Sequence, residues 1–229
     1  MAITRRSFVV GMSLFVGGCA TAEPPRQRRL AAAAPIDPFY RSIYATIEDE
    51  PFPVAAIDLS RVKPQFLRRQ VAYDTAEKPG TIVVDPNARF LYLVQDRGTA
   101  MRYGVGVGRE EAFNFQGEAT IGRKAEWPKW TPTRDMIARE PERYGPYRDG
   151  LPGGEGNPLG PRALYLFRNN QDTLYRLHGT LEPWTIGTMV SSGCIRLMNQ
   201  DVIDLYRRVP VGTKVIVLPT GAAARLAAG

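Results

Sequence analysis

Residues 175–197 read YRLHGTLEPWTIGTMVSSGCIRL. This stretch contains His178, the only histidine of the 229-residue chain, and Cys194, one of its two cysteines. The residues before His178 favour a β-strand over 174–177, and those after Cys194 favour a helix over 199–208 with apolar side chains at helical spacing. The stretch therefore joins a predicted strand to a predicted helix through a loop that ends in the cysteine.

Further strand signals lie on both sides of this stretch. Short runs rich in β-branched and aromatic residues are separated by turn residues such as Pro86-Asn87 and Asp96-Arg97-Gly98. They predict strands at residues 81–85, 90–95, 99–107, 119–124, 163–167 and 214–218. Many short strands and one or two helices, including a short one near residues 38–48, predict a mainly β, sandwich-like domain.

Residues 126–160 differ from the rest because glycine and proline punctuate them throughout. A short helix is predicted near 135–139. A segment of this length and composition favours a lid or a binding loop over a simple connection between strands.

A thiol and an imidazole in one segment predict nucleophilic catalysis. A neighbouring His178 would share the proton of Cys194 and stabilise the thiolate nucleophile. Gly193 lets the backbone turn so that N–H groups point at a developing oxyanion. Arg196 could support the thiolate, brace the loop or bind a substrate carboxylate. Taken singly, a cysteine is more often a small buried apolar residue, and a histidine more often satisfies a local hydrogen bond; their co-occurrence beside Gly179 and Gly193 favours catalysis.

The pattern His178-Gly179-Thr180, then Gly187, then residues 191–197 (SSGCIRL) resembles the signature of the YkuD-type L,D-transpeptidase catalytic domain. The resemblance extends over about residues 79–219, and the whole chain resembles the exported proteobacterial members. It implies a β-sandwich enzyme that cleaves a peptidoglycan tetrapeptide stem after its third residue. Cys194 would form a thioester with the diaminopimelate, release D-alanine and pass the acyl group to an amine.

The resemblance also implies roles for individual residues. His178 would shuttle the proton, the Gly179 carbonyl would orient its imidazole, and the N–H groups of Gly193 and Cys194 would form the oxyanion hole. Many members carry histidine where this chain has Ser192, which leaves His178 as the only base of its type. Hypothetical substrate-binding residues are Arg196, Ser192, Trp184 and Trp127.

The expected partners follow from the same resemblance. The acyl acceptor would be a second diaminopimelate, giving a 3→3 cross-link, or a lysine of an outer-membrane protein, and carbapenem-type β-lactams would acylate the cysteine. No metal or organic cofactor is expected, and two cysteines with one histidine are too few for a usual zinc site.

Two other functions stay open on the sequence alone. Water as acceptor would make the protein an L,D-carboxypeptidase or an amidase, and loss of catalysis would leave a wall-binding module. The net charge of +7 would suit nucleic acid, an anionic membrane or an anionic wall polymer. Nucleic acid is disfavoured, because the basic residues form no dense stripe and an export signal is predicted.

Residues 1–22 resemble a twin-arginine export signal, with Arg5-Arg6 followed by Ser7-Phe8 and a short apolar run. Cleavage after Ala22 and lipidation of Cys19, at the end of a lipobox-like sequence, are the two alternatives. We expect a periplasmic protein that touches the membrane only through such a lipid. Residues 23–78 are predicted as a tether and N-terminal extension, 79–219 as the catalytic domain and 220–229 as a flexible tail.

Overall fold

A computed structural model describes residues 36–109, 115–191 and 193–220 of the protein. The predicted export signal with Cys19, Ser192 and most of the predicted tail lie outside the described residues. The described residues belong to one unit that begins at Ile36. Residues 36–78 are thus part of the same compact body as the predicted catalytic domain.

Eleven strands and four helices are present in the described ranges. The helices are α1 (Pro38–Ile43), α2 (Arg134–Arg139), α3 (Pro141–Tyr144) and α4 (Asn199–Arg208), with single 3₁₀ turns at Leu59–Arg61, Pro64–Phe66, Gly145–Tyr147 and Pro183–Thr185. The strands are β1 (Arg69–Ala72), β2 (Ile82–Asp85), β3 (Phe90–Gln95), β4 (Thr99–Gly104), β5 (Val107–Gly108), β6 (Gly117–Glu126), β7 (Arg162–Arg168), β8 (Gln171–His178), β9 (Met189–Ser191), β10 (Ile195–Arg196) and β11 (Lys214–Val217).

Nine of these strands form one sheet in the order β1-β4-β3-β2-β11-β6-β7-β8-β10, and β5 pairs with β9 separately. Alternate residues of the strands, such as Ile82 and Val84 in β2, point into one apolar core, which α4 completes with Val202 and Leu205. The predicted mainly β architecture is confirmed. The nine-stranded sheet, α4 and Val107 of the separate β5–β9 pair all contribute side chains to this core.

Three details differ from the prediction. The third predicted strand ends at Gly104 and not at residue 107, because Gly106 exchanges backbone hydrogen bonds of 2.9 Å with Arg196. Helix α1 ends at Ile43, since Ile47 and Val54 pair instead through two 3.0 Å backbone hydrogen bonds. Strands β1, β9 and β10 were not predicted, and runs of two to four residues are too short to show periodicity.

The N-terminal extension packs against the region that holds the motif. Tyr44, Val62, Phe66 and Leu67 form a second apolar cluster with Ile186 and Met198. The Gln200 side chain donates hydrogen bonds to two carbonyls of the extension, Ala45 O at 3.1 Å and Ala55 O at 2.9 Å. The extension is thereby bound both to the loop before Cys194 and to α4.

None of the helices in the described ranges has the length and apolar character needed to cross a membrane.

Candidate active site

Parallel pairing of β8 with β10 brings the two ends of the motif together. Leu177 lies opposite Ile195, and His178 lies opposite Arg196. The Leu197 N–H also donates to His178 O at 2.8 Å, which extends the pairing by one hydrogen bond. His178 and Cys194 consequently lie at one edge of the sheet, and both line a cleft of about 660 Å³.

The imidazole of His178 is buried and held in one tautomer. Its Nδ1 lies 2.7 Å from Gly179 O, and since a carbonyl can only accept, Nδ1 carries the proton. Nε2 is left with a lone pair. Burial, with a contribution from the positive charge of Arg196, lowers the pKa of His178 from 6.5 to about 3. At neutral pH the imidazole is therefore uncharged and able to accept a proton.

Gly179 and Thr180 are fixed by contacts that only a glycine at 179 permits. The Gly179 N–H donates to Leu159 O at 2.9 Å, and a Cβ on Gly179 would collide with Oδ1 of Asn199. That same Oδ1 accepts from the Thr180 N–H at 2.9 Å. Asn199 was absent from the predicted site, and its position at the start of the predicted helix was its only signal.

Cys194 is half-buried, and opposing effects act on its thiol. Burial raises the pKa of Cys194, while the positive charges of Arg176 and Arg196 lower it, with a net rise. Its Sγ lies 3.9 Å from the carbonyl of Leu174, a residue at φ 64° where β8 bulges between its pairings with β7. The resting pair is a neutral thiol and a neutral imidazole, so proton transfer has to accompany attack on a substrate.

The Gly193 N–H, predicted to stabilise an oxyanion, is already hydrogen-bonded within the protein. Gly193 has φ 129°, a conformation that favours glycine, and its N–H donates to the buried Ser191 Oγ at 3.1 Å. An oxyanion that uses this N–H would have to share it with Ser191 Oγ or replace that oxygen. Sequence reasoning did not single out Ser191 for this contact.

Arg196 lines the cleft, but neither of the two predicted tryptophans is among its described lining residues. The Arg196 guanidinium forms an ion pair with Glu182 at 3.2 Å. The Trp184 ring is partly exposed and lies 4.0 Å from the guanidinium of Arg61. The Trp127 indole N–H donates to Glu50 at 3.1 Å. Both rings contact the N-terminal extension, and their part in substrate binding stays a prediction.

The insert at 126–160 supplies one wall of the cleft instead. Trp130, Tyr144 and Tyr147 lie there, together with α2 and α3. Six cationic side chains line the cleft against the single carboxylate of Asp135: Arg123, Lys129, Arg139, Arg143, Arg176 and Arg196. Except for Arg196, sequence reasoning missed these residues, since they come from separate strands and from the insert. Three of the arginines also pair with carboxylates outside the lining, namely Glu140, Asp172 and Glu182, which balance part of this charge.

Among the described residues, no group of three or more histidine, cysteine, aspartate or glutamate side chains could hold a metal ion.

Comparison with known proteins supports the reading of the motif. The family model of the L,D-transpeptidase catalytic domain, YkuD, matches residues 79–217. A probable L,D-transpeptidase ErfK/SrfK from Escherichia coli (strain K12) is 37% identical over 148 residues, which cover 63% of this chain and 45% of that protein. A probable L,D-transpeptidase YbiS from the same strain is 34% identical over 59% of this chain and 43% of that protein. The chain thus spans less than half the length of these two relatives.

Two solved structures are also similar. One from Brucella melitensis, described as a probable carnitine operon oxidoreductase CaiA, is 53% identical over 70% of this chain and 99% of its own, with a TM-score of 0.48. An L,D-transpeptidase from Mycobacterium smegmatis is 22% identical over 60% of this chain and 57% of its own, with a TM-score of 0.43. The oxidoreductase name belongs to the Brucella protein, and TM-scores of this size add no argument. Because the family model covers more than half of the chain, this protein belongs to the L,D-transpeptidase catalytic domain (YkuD) family.

Proposed function

We propose that this protein is a cysteine-dependent L,D-transpeptidase that acts on peptidoglycan stem peptides. The observation that supports it most is the shared cleft of Cys194 and His178, in which the Gly179 carbonyl holds His178 as an uncharged base. Cys194 is also the only free cysteine among the described residues. A base within a cleft beside one thiol is the arrangement that acyl transfer through a thioester requires.

In the first half-reaction, Cys194 Sγ attacks the carbonyl at the L-centre of diaminopimelate in a tetrapeptide stem. The thiol proton passes to Nε2 of His178 as the S–C bond forms. His178 then gives this proton to the nitrogen of the leaving D-alanine as the C–N bond breaks. The N–H groups of Gly193 and Cys194 would stabilise the oxyanion, provided that the Gly193 N–H turns from Ser191 Oγ to the oxyanion.

In the second half-reaction, an amine attacks the thioester and loses its proton to His178, which returns it to Sγ. The amine belongs to a second diaminopimelate or to a lysine of an outer-membrane protein. Water at the same position would give a free carboxylate and make the enzyme a hydrolase. The two outcomes differ only in what the acceptor side of the cleft admits.

The location follows from the sequence signals at the N-terminus. We propose export by a twin-arginine-like signal to the periplasm, with lipidation at Cys19 or cleavage after Ala22. We further propose acylation of Cys194 by carbapenem-type β-lactams. A solved L,D-transpeptidase 3 from Mycobacterium tuberculosis, 19% identical to this chain, is described with a faropenem-derived adduct.

Product analysis by mass spectrometry tests the proposal. The purified protein and a Cys194→Ala variant are each incubated with disaccharide-tetrapeptide. A dimer that has lost one D-alanine, formed only with the intact thiol, is the expected result. Tripeptide alone would point to hydrolysis or to a protein acceptor missing from the tube, and no thiol-dependent product would contradict the proposal.

A further inference from the structure

A row of side chains crosses the sheet and ends at the nucleophile. On β6, β7 and β8, Arg123 pairs with Tyr165, and Tyr165 pairs with Arg176. Paired residues of adjacent strands point to the same face of the sheet. On the other side, Leu177 of β8 pairs with Ile195 of β10. Arg176 and Cys194 directly precede these two residues, and the Arg176 side chain acts on the Cys194 thiol. All four residues line the cleft.

The Tyr165 ring forms the floor beneath the two guanidinium groups. Tyr165 is only 3% exposed, and its ring centroid lies 3.6 Å from Cζ of Arg123 and 4.7 Å from Cζ of Arg176. Arg176 also donates from Nη1 to Leu174 O. Cation–π contacts on a buried ring hold both charged groups in place, so the row is built before any ligand arrives.

The row carries more positive charge than its neighbours neutralise. Asp172 lies 3.8 Å from Nη2 of Arg176. Arg123 forms no ion pair with any residue in the described part of the chain. Of the two guanidinium groups, only that of Arg176 has a carboxylate nearby, and this carboxylate lies four residues away on the same strand. An anion bound beside Arg176 would balance the remaining charge.

We propose that the row Arg123–Tyr165–Arg176 is the subsite for the C-terminal carboxylate of the residue that leaves the acyl donor, with Arg176 as its direct contact. This inference rests on the proposed transpeptidase function. In a tetrapeptide stem the terminal carboxylate carbon lies within about 4 Å of the scissile carbonyl carbon, because only one nitrogen and one Cα separate them. Adjacent strands lie about 4.8 Å apart, so a carbonyl at Cys194 places that carboxylate over Arg176.

The other carboxylates of the stem are more distant from the reacting carbonyl. The side-chain carboxylate of diaminopimelate is separated from its L-centre by a chain of several carbons, and the glutamate carboxylate lies beyond the next peptide bond. The subsite would therefore select a donor that ends one residue after diaminopimelate. A donor extended by one more residue, or capped by an amide, places no charge at Arg176.

The test separates ligand recognition from catalysis. The Cys194→Ala protein, which cannot form the thioester, is titrated calorimetrically with the tetrapeptide and with the same peptide carrying a C-terminal amide. We expect the free acid to bind at least about tenfold more tightly than the amide, the range of one charge-assisted hydrogen bond. In Cys194→Ala/Arg176→Gln the two affinities should agree within about twofold. Arg176→Lys should keep part of the preference.

Matched controls keep the result interpretable. Arg69 is an exposed arginine on β1, at the opposite edge of the sheet, so Arg69→Gln makes the same charge change and should preserve the preference. Arg123→Gln should reduce the preference and serves if Arg176→Gln does not fold. Equal binding of acid and amide to the Cys194→Ala protein, or no binding of either, would overturn the subsite whatever the product analysis shows.

Kinetics with the intact thiol provide a second readout, because Arg176 also favours the thiolate of Cys194. If Arg176 acts only on the thiol, Arg176→Gln lowers kcat/KM for the acid and amide donors by the same factor, and the subsite is wrong. If it binds the carboxylate, the acid donor loses at least about tenfold more than the amide donor. Loss of thiol-dependent products with both donors in the unmodified protein would instead count against the transpeptidase function.

Discussion

Oδ1 of Asn199 accepts a hydrogen bond from the Thr180 N–H at 2.9 Å, so the first residue of α4 holds the turn that follows His178. The same oxygen fills the space beside Gly179, whose carbonyl orients the imidazole. The helix that follows Cys194 and the strand that ends at His178 are thereby linked through one side-chain amide.

Asn199→Ala should lower kcat for thioester formation by about tenfold with little change in KM, because the turn that orients His178 loses its anchor. The buried Thr180 N–H would also lose its partner, at a cost of about 1–3 kcal/mol in stability. Asn199→Asp keeps an acceptor oxygen and should retain most of the activity. Single-turnover acylation followed by intact-protein mass spectrometry measures the effect, and an unchanged kcat in Asn199→Ala would contradict it.

The pH dependence of acylation should lack the usual histidine limb. Burial lowers the pKa of His178 to about 3, and burial raises the pKa of the Cys194 thiol. The imidazole therefore stays deprotonated at pH values well below 6.5, the ordinary pKa of histidine. As a result, kcat/KM should be flat from about pH 5 to about pH 8. Stopped-flow acylation across this range gives the profile. An acid limb centred near 6.5 would show that the imidazole is not buried as the structure has it.

Asp201 should make the protein less stable as the pH rises towards neutrality. It is fully buried in α4, accepts from Tyr44 Oη at 3.2 Å, and lies 3.6 Å from Nη1 of Arg68. Burial outweighs Arg68 and raises the pKa of Asp201 from 3.8 to about 7. The folded state thus holds a proton that the unfolded state has lost, so this contribution is complete below 3.8 and disappears as the pH rises through 7.

Urea unfolding at a series of pH values tests this assignment. Asp201→Asn should remove the decline between about pH 4 and about pH 7, which amounts to no more than about 4 kcal/mol. Asp74→Asn, at an exposed position, is the control and should leave the decline unchanged. His178 acts in the opposite direction, since its lowered pKa gives stability that is lost as the pH falls below 6.5. If the unfolding free energies of wild type and Asp201→Asn change with pH in parallel, the raised pKa of Asp201 is wrong.

Glu50 should be needed to keep the extension attached to the base of the insert. It pairs with Arg162 through side chains that are 5% and 6% exposed, and it accepts from Trp127. Burial raises the pKa of Glu50, but hydrogen bonds from Arg162 and Trp127 outweigh burial, so the net pKa lies below its ordinary value. The carboxylate is therefore charged at neutral pH. Glu50→Ala would leave the buried guanidinium with only the distant, exposed carboxylate of Glu126 and should cost about 3–5 kcal/mol in unfolding free energy.

Glu126 offers a matched control for this prediction, because it also contacts Arg162, at 3.9 Å, but is 57% exposed. Glu126→Ala should cost less than about 1 kcal/mol. Urea unfolding of the two variants measures both losses of stability. Equal small losses for both would mean that the pair at Glu50 does not anchor the extension.

Trp130 and Trp184 should differ in their effect on the donor peptide. Trp130 lines the cleft, whereas Trp184 is 43% exposed under Arg61 and is not among the described lining residues. Trp130→Ala should raise KM for the tetrapeptide about 5- to 30-fold through lost apolar contact worth about 1–2 kcal/mol, with kcat nearly unchanged. Trp184→Ala should leave KM unaltered. A larger increase in KM for Trp184→Ala than for Trp130→Ala would place the donor on the other side of the cleft from the insert.

The helix and the longer strands were predictable because their signals are local. Residues 199–208 form α4 over the predicted bounds, since the apolar positions recur at helical spacing. The run rich in β-branched residues at 81–85, closed by the turn residues Pro86-Asn87, forms β2 over residues 82–85. The motif around His178 and Cys194 also predicted the family, because its residue types and spacing are unusual enough to identify it without any geometry.

The sequence alone singled out the two side chains that we propose carry the chemistry, and the tertiary structure decided what surrounds them. The row Arg123–Tyr165–Arg176 joins three strands that lie far apart in the chain, so no local pattern could show it. The hydrogen bond from Trp127 to Glu50 of the extension likewise joins residues that lie far apart in the chain. Pairing between distant strands and burial set these contacts and the charge states of His178 and Asp201, and both depend on the complete fold.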